Sequence, residues 1–158
     1  MTATDAIHSA DDKLILESFL PYRLATLSTR ISNEIAKFYI ERYDITMPEW
    51  RVIAVLGITP NVSAGYICEV GEMDKVAVSR AVNKLLESGR IIRDFAKEDK
   101  RRSILALSET GQDIYDEIVP LAKDYEKQIL DALDPNEQEA LDSILSKLMK
   151  IQLELKAD

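Results

Sequence analysis

Residues 97–102 read Lys-Glu-Asp-Lys-Arg-Arg, four cations in six positions. Ammonium and guanidinium groups at that density suit the neutralising of closely spaced phosphates, and an arginine among them can also reach a base edge. A second set lies upstream: Lys75, Ser79, Arg80, Asn83 and Lys84. Steps of three and four residues place such a set along one side of a helix. Arg80 carries the fork that meets a guanine edge or a phosphate, and Asn83 the amide that pairs with adenine. Ser79 offers a hydroxyl to phosphate, and Lys75 and Lys84 are point charges for the backbone. The blander account of each is a solvated side chain, or for Ser79 a bond back to its own helix. Lys97, Lys100 and Arg102 would likewise be surface charges of little weight if no polyanion meets them.

Other chemistry finds little support. His8 is the only histidine and Cys68 the only cysteine. No spacing of His, Cys and acids resembles a metal site, no serine is paired with a histidine near a nucleophile elbow, and no glycine-rich phosphate loop occurs. Neither catalysis nor a cofactor is expected. Cys68 is expected to be a packed small residue, since a redox role needs an exposed thiol with a lowered pKa.

The chain has 158 residues and a formal net charge of -8, which at first argues against a polyanionic partner. The charge is unevenly spread. Residues 1–71 hold nine acids and six bases, residues 72–105 six acids and nine bases, and residues 106–158 thirteen acids and five bases. The one positive stretch is the one that holds both candidate sets. A bound phosphate backbone feels that local field more than a distant acidic segment screened by salt. An apolar content of 46% suits a globular protein with one core or two small lobes. The amino terminus shows no basic region leading into a long apolar run, so neither a leader nor a membrane span is expected, and a cytoplasmic protein is.

The elements that must hold the two sets are legible from pattern. Leu24, Leu27, Ile31, Ile35 and Phe38 recur at helical spacing after Pro21. "TMPEWRVIAVLG" reads as a short buried helix with Thr46 and Glu49 as a capping box and Gly57 at its exit. "SAGYICEVG" is a second short helix capped by Ser63, and Asp74 caps a third that runs to Ser88, with Gly89 as its left-handed terminator. Val78, Val82 and Leu85, with Ala81, form that helix's inward stripe. "RIIRDF" and "RSILALS" alternate as strands, joined by "AKEDKR" into a hairpin whose tip carries the basic cluster. Ser108 caps the next helix, which Pro120 should bend or break. Asp134, Pro135 and Glu137 restart a last helix striped by Leu141, Ile144, Leu145, Leu148, Ile151 and Leu155. The expected fold is mainly α with a small β-hairpin wing. A winged helix-turn-helix lobe spans residues 44–108, flanked by helical segments 1–43 and 109–158. Those flanking helices expose too much apolar surface for a small monomer, which argues for self-association.

Taken together, "TMPEWRVIAVL", "MDKVAVSRAVNKLLESGRIIR", "EDKRR" and "LALSETG" resemble the MarR family of winged helix-turn-helix transcription regulators, over roughly residues 20 to 155. The resemblance implies a homodimer built by the terminal helices, two winged lobes on a pseudo-palindrome of double-stranded DNA, and usually repression. It implies that Arg101 enters the minor groove, held by Asp99. Ser79 and Arg80 match a serine–arginine pair of the recognition helix. Valine and alanine at 76 and 77 depart from the serine and threonine common there.

The resemblance further implies release of DNA by small aromatic or phenolic ligands held between the dimerisation and DNA-binding lobes, and the residue types available there make an aromatic acid, or its coenzyme A thioester, the expected effector. Tyr22 and Arg23 on the first helix, with Trp50 and Arg51 on the second, are the candidate ligand contacts. An arginine favours an organic anion and an aromatic ring stacks on an aryl group. Core and dimer packing is the alternative for Tyr22 and Trp50. Two other functions stay open: a regulator with no small ligand, governed by a protein partner, and an interaction module that no longer binds DNA.

Overall fold

Proline in the first turn needs no partner for its missing N–H, and Pro21 stands there in α1 (Leu20–Tyr43). The computed structural model describes residues 13–97 and 99–151, with the backbone alone at Ala96 and 99–102. His8 and Leu155 lie outside the described residues. The chain forms two compact units that divide between Tyr115 and Asp116.

In the first unit, α1 ends where Asp44 turns left-handed at φ 50° and its N–H donates to the Ile40 carbonyl at 3.0 Å. Helix α2 (Met47–Ile58) starts as its capping residues require, the Thr46 N–H donating to Glu49 Oε2 at 2.5 Å. Gly57 is not its exit, as the sequence suggests. The helix runs one residue further to a Thr59 cap, and Gly57 sits inside it against the Tyr115 ring. A glycine inside a helix thus serves close packing here, which a C-terminal signal read locally cannot distinguish.

Helix α3 (Ala64–Val70) is capped by Ser63, whose Oγ accepts from the Tyr66 N–H at 3.2 Å. Helix α4 (Lys75–Glu87) is capped by Asp74, whose Oδ1 accepts from the Ala77 N–H at 2.8 Å. Gly89 follows it at φ 68°. Strands β1 (Ile91–Ala96) and β2 (Asp99–Leu107) pair antiparallel, Ile91 facing Leu107 and Phe95 facing Ser103.

The hairpin differs from the sequence expectation in two ways. Strand β2 begins at Asp99, so Lys100 and Arg101 join Arg102 in the strand rather than lying in the connecting loop. Pairing jumps from Phe95↔Ser103 to Ala96↔Asp99, so these three residues occupy an irregularity with no counterpart on β1. Bulges of this kind re-aim a strand near its end. The second difference is a bridge to Val62, which exchanges backbone bonds of 2.8 and 3.3 Å with Leu105. That bridge ties the turn before α3 to the wing.

The core of this unit gathers Tyr39, Ile45, Val52, Ile53, Leu56, Ile67, Val78, Val82, Leu85, Ile91, Leu105 and Ile114. Helix α4 packs on α2, α3 and β1, and β2 packs on α2. Helix α5 (Glu109–Leu130) starts with the Ser108 Oγ accepting from the Gly111 N–H at 3.1 Å. It is continuous through Pro120, so the expected break does not occur.

In the second unit, α6 (Pro135–Leu148) has the expected cap, Asp134 Oδ1 accepting from the N–H groups of Asn136 and Glu137. No residue of α6 is buried. Among the described residues no helix is long and apolar enough to cross a membrane, and no group of His, Cys, Asp and Glu could hold a metal.

Candidate nucleic-acid interface

Helix α4 has two faces. Val78, Ala81, Val82 and Leu85 are buried, while Lys75, Val76, Ser79, Arg80, Asn83 and Lys84 are exposed. The split follows from the apolar period: four buried side chains fix the helix's rotation on α2 and α3, and the remaining positions face outward. Lys75, Ser79, Arg80 and Asn83 are brought together on that face as their spacing predicts. Val76 joins them, an exposed apolar residue in a polar row.

Lys84 behaves differently. Its Nζ lies 3.6 Å from Glu49 Oε1, and the Glu49 side chain is only 2% exposed. The lysine read as a phosphate contact is engaged by a buried acid of α2. Glu49 itself was legible only as a cap; its pairing with a residue of another helix leaves no trace in its neighbours.

The wing starts from a fixed base. The Ser108 N–H donates to the Arg90 carbonyl at 3.1 Å, and the Ser108 Oγ donates to the Gly89 carbonyl at 2.7 Å. The Arg90 guanidinium donates to the Tyr43 carbonyl at the end of α1. Arg90 therefore clamps helix to strand, instead of pairing with Asp94 or Glu87 as its sequence neighbourhood suggests. Arg93 and Lys97 are exposed along the hairpin. The side chains of Asp99, Lys100, Arg101 and Arg102 lie outside the described residues.

The candidate ligand residues are dispersed. Tyr22 and Arg23 are exposed in the first turn of α1. Trp50 is half-buried in a stack, its ring 5.8 Å from Tyr39 and 6.4 Å from Tyr115, inclined by 28° and 30°. At 1.5 Å per residue, Tyr22 and Tyr39 are roughly 25 Å apart along α1. One chain therefore does not bring Tyr22 and Arg23 to Trp50. The indole thus already has two aromatic neighbours within the same chain. Arg51 is exposed, and its charge acts on the Tyr39 phenol: burial pushes that pKa up and Arg51 draws it part of the way back. Cys68 is half-buried and free.

Residues 43–102 match the family model described as the MarR family. The fold is similar to that of a MarR/EmrR family transcriptional regulator from Acinetobacter sp. ADP1, at 31% identity and a TM-score of 0.77, covering 86% of this chain and 96% of that one. The chain belongs to the MarR family. It is accordingly a DNA-binding transcription regulator and not an enzyme, and its fold is the family's mainly helical one with a hairpin wing. Among curated proteins it is similar to the HTH-type transcriptional regulator BilQ of Clostridium symbiosum, 26% identical over 114 residues, covering 72% of this chain and 79% of that protein. It also shares the fold of Streptococcus pneumoniae FabT, solved in complex with DNA, at 22% identity and a TM-score of 0.70, covering 82% of this chain and 92% of that one. The packing of Tyr39 and Tyr115 beside Trp50, and the approach of Glu49 to Lys84, are contacts that sequence reasoning missed. An aromatic or acid at a buried position has no signature apart from its burial.

Proposed function

We propose that the protein is a homodimeric repressor that reads a pseudo-palindromic double-stranded operator with α4 and its wing. The observation that carries this is α4's outward row of Lys75, Val76, Ser79, Arg80 and Asn83 above a fully buried stripe. A helix held so firmly by one face can offer the other to a major groove, with Arg80 and Asn83 at base edges and Ser79 and Lys75 at phosphates. Lys97, Lys100, Arg101 and Arg102 supply the wing's positive charge, Arg101 entering the minor groove with Asp99 as its support. The likeness to FabT, solved in complex with DNA, supports the same kind of partner.

Segments 1–43 and 109–158 are the dimerising parts, and 44–108 is the DNA-binding part. Leu141, Ile144, Leu145 and Met149 are all exposed on or just after α6, and Leu20, Leu24 and Leu27 on α1. Such stripes support burial against a second copy. A two-fold pair sets two α4 helices into successive major-groove turns about 34 Å apart.

A small aromatic or organic-acid effector, including a coenzyme A thioester, releases the operator in this proposal. Tyr22 and Arg23 reach Trp50 and Arg51 only if the partner subunit brings one pair to the other. The effector binds the DNA-incompetent spacing of the two α4 helices more tightly than the competent one. A regulator with no small ligand, governed by a protein partner, is the second reading, and the packing of Trp50 beside Tyr39 and Tyr115 favours it.

The test is fluorescence anisotropy on DNA from the protein's own promoter region across a salt series, with genomic-fragment selection if that DNA is not preferred. The expected result is preference over scrambled DNA and affinity that falls steeply with salt. Arg80→Ala should cost about 1–3 kcal/mol and relax selectivity at one position. Arg101→Ala should weaken binding with the melting temperature unchanged. No selected DNA at any salt would sink the regulator reading.

A further inference from the structure

A cleft of about 410 Å³ separates the start of α2 from α4, with Thr46, Pro48, Glu49, Arg80 and Lys84 in its lining. Glu49 is the one buried charged residue among the described residues. One of its oxygens takes the Thr46 N–H at 2.5 Å, and the other lies 3.6 Å from Lys84 Nζ. The two partners differ sharply in exposure, 58% for the Lys84 side chain and 2% for that of Glu49. The ammonium is therefore well hydrated, while the carboxylate is almost wholly covered. A carboxylate so covered is stabilised by the few donors and cations that reach it, here the Thr46 N–H and the Lys84 ammonium. A phosphate approaching from solvent would have to draw the ammonium away from a largely covered carboxylate, where the attraction is stronger than it is in open water.

We propose that Glu49 is a positioning residue for the recognition helix. It holds Lys84 against α2 so that Lys84 tethers α4 and does not contact phosphate, and the tether sets the aim of Ser79, Arg80 and Asn83. This rests on the DNA-binding reading above. Arg80 stands one turn before Lys84 and lines the same cleft, so a change in how Lys84 is held is transmitted to the residue placed at a base edge. The candidate phosphate contacts then reduce on this helix to Lys75 and Ser79.

The experiment compares wild type, Lys84→Met, Lys84→Arg, Glu49→Gln and the double variant Glu49→Gln/Lys84→Met on the selected operator and on scrambled DNA across a salt series. Lys84→Met is expected to leave the slope of log affinity against log salt unchanged while the operator-to-scrambled ratio falls by roughly fivefold. Lys84→Arg, which keeps the charge, restores that ratio. Glu49→Gln still accepts the Thr46 N–H but frees the ammonium. Its slope steepens by about 0.9 and its scrambled-DNA affinity rises, and the added Lys84→Met cancels both. A slope shallower by about 0.9 in Lys84→Met alone overturns the proposal and makes Lys84 a phosphate contact. An unchanged ratio in Lys84→Met overturns it too. Should Glu49→Gln fail to fold by circular dichroism, the two Lys84 variants decide by themselves. Wild-type protein that prefers no DNA refutes the regulator reading and this proposal with it, and the wild-type arm alone reports that.

Discussion

The ring of Tyr115 stands where a side chain on Gly57 would be: a Cβ on that glycine would lie 2.3 Å from the ring's Cε2, and 2.4 and 2.7 Å from two further ring atoms. The ring cannot simply swing away, because it also stacks with Trp50 at 6.4 Å. Two aromatic partners and a glycine thus define how closely α5 meets α2.

Gly57→Ala should therefore destabilise the protein. Inside an exposed helix the same change gains about 1 kcal/mol. Here overpacking should reverse the sign and cost about 1–3 kcal/mol, read as a lower midpoint in urea. Combining it with Tyr115→Ala should return part of the loss. A Gly57→Ala protein as stable as wild type would falsify the assigned contact.

Val76 should read a thymine. It is 59% exposed in a row otherwise made of polar side chains, and an aliphatic group in a major groove finds its best partner in the thymine methyl. Replacing operator thymines one at a time by uracil, which lacks that methyl, should weaken wild-type binding at one position in each half-site. Val76→Ala should be indifferent to the same replacement. Equal sensitivity in both proteins would remove Val76 from the interface.

Ile144 and Leu145 should hold the two subunits together. They are 54% and 45% exposed on a helix with no buried residue. Ile144→Glu or Leu145→Glu places a charge in that surface, which a monomer tolerates and an apolar interface does not. Sedimentation should show a dimer for wild type and a monomer for the variants at micromolar concentration, with operator affinity lost in parallel. Variants that still sediment as dimers would move the interface elsewhere.

Tyr39 should leave a mark on alkaline stability. Burial raises its pKa, and Arg51 offsets part of that. The unfolded chain ionises this phenol near pH 10 while the folded one still holds the proton, so stability falls as pH rises through that window and is fully present below it. Tyr39→Phe should flatten this alkaline limb in denaturant melts between about pH 9.5 and 11. Identical limbs would show that the phenol's burial has no such consequence. Arg51→Met removes the offsetting charge and should steepen the limb.

Much of the interface could be read without coordinates. Asp74, Ser63 and Asp134 each cap the helix that follows them, because a cap is a contract among residues two or three apart. The outward face of α4 was legible for a similar reason: the positions of Val78, Val82 and Leu85 set the buried side, and the rest follows by rotation. The hairpin was legible as a hairpin but not in its register. The charged run 97–102 looks like a loop by composition, and only pairing with β1 shows that β2 starts at Asp99.

Contacts between residues far apart in the chain are what the sequence does not show. Lys84 faces outward by its helical position, yet its ammonium is held by Glu49. Arg90 has acids close by in sequence and donates instead to the Tyr43 carbonyl, 47 positions away. Trp50 packs beside Tyr39, eleven positions before it, and Tyr115, sixty-five positions after it.

By itself, then, the amino-acid sequence determined the helices, their caps, the wing's existence and the polar face of α4. Each depends on contacts within a turn or a strand, where side-chain period and backbone hydrogen bonding are decisive. Only the tertiary structure decided which charges are spent inside the fold. Burial is a property of several segments at once, and it is the packing of α4 on α2 that covers the Glu49 carboxylate and brings Lys84 within 3.6 Å of it.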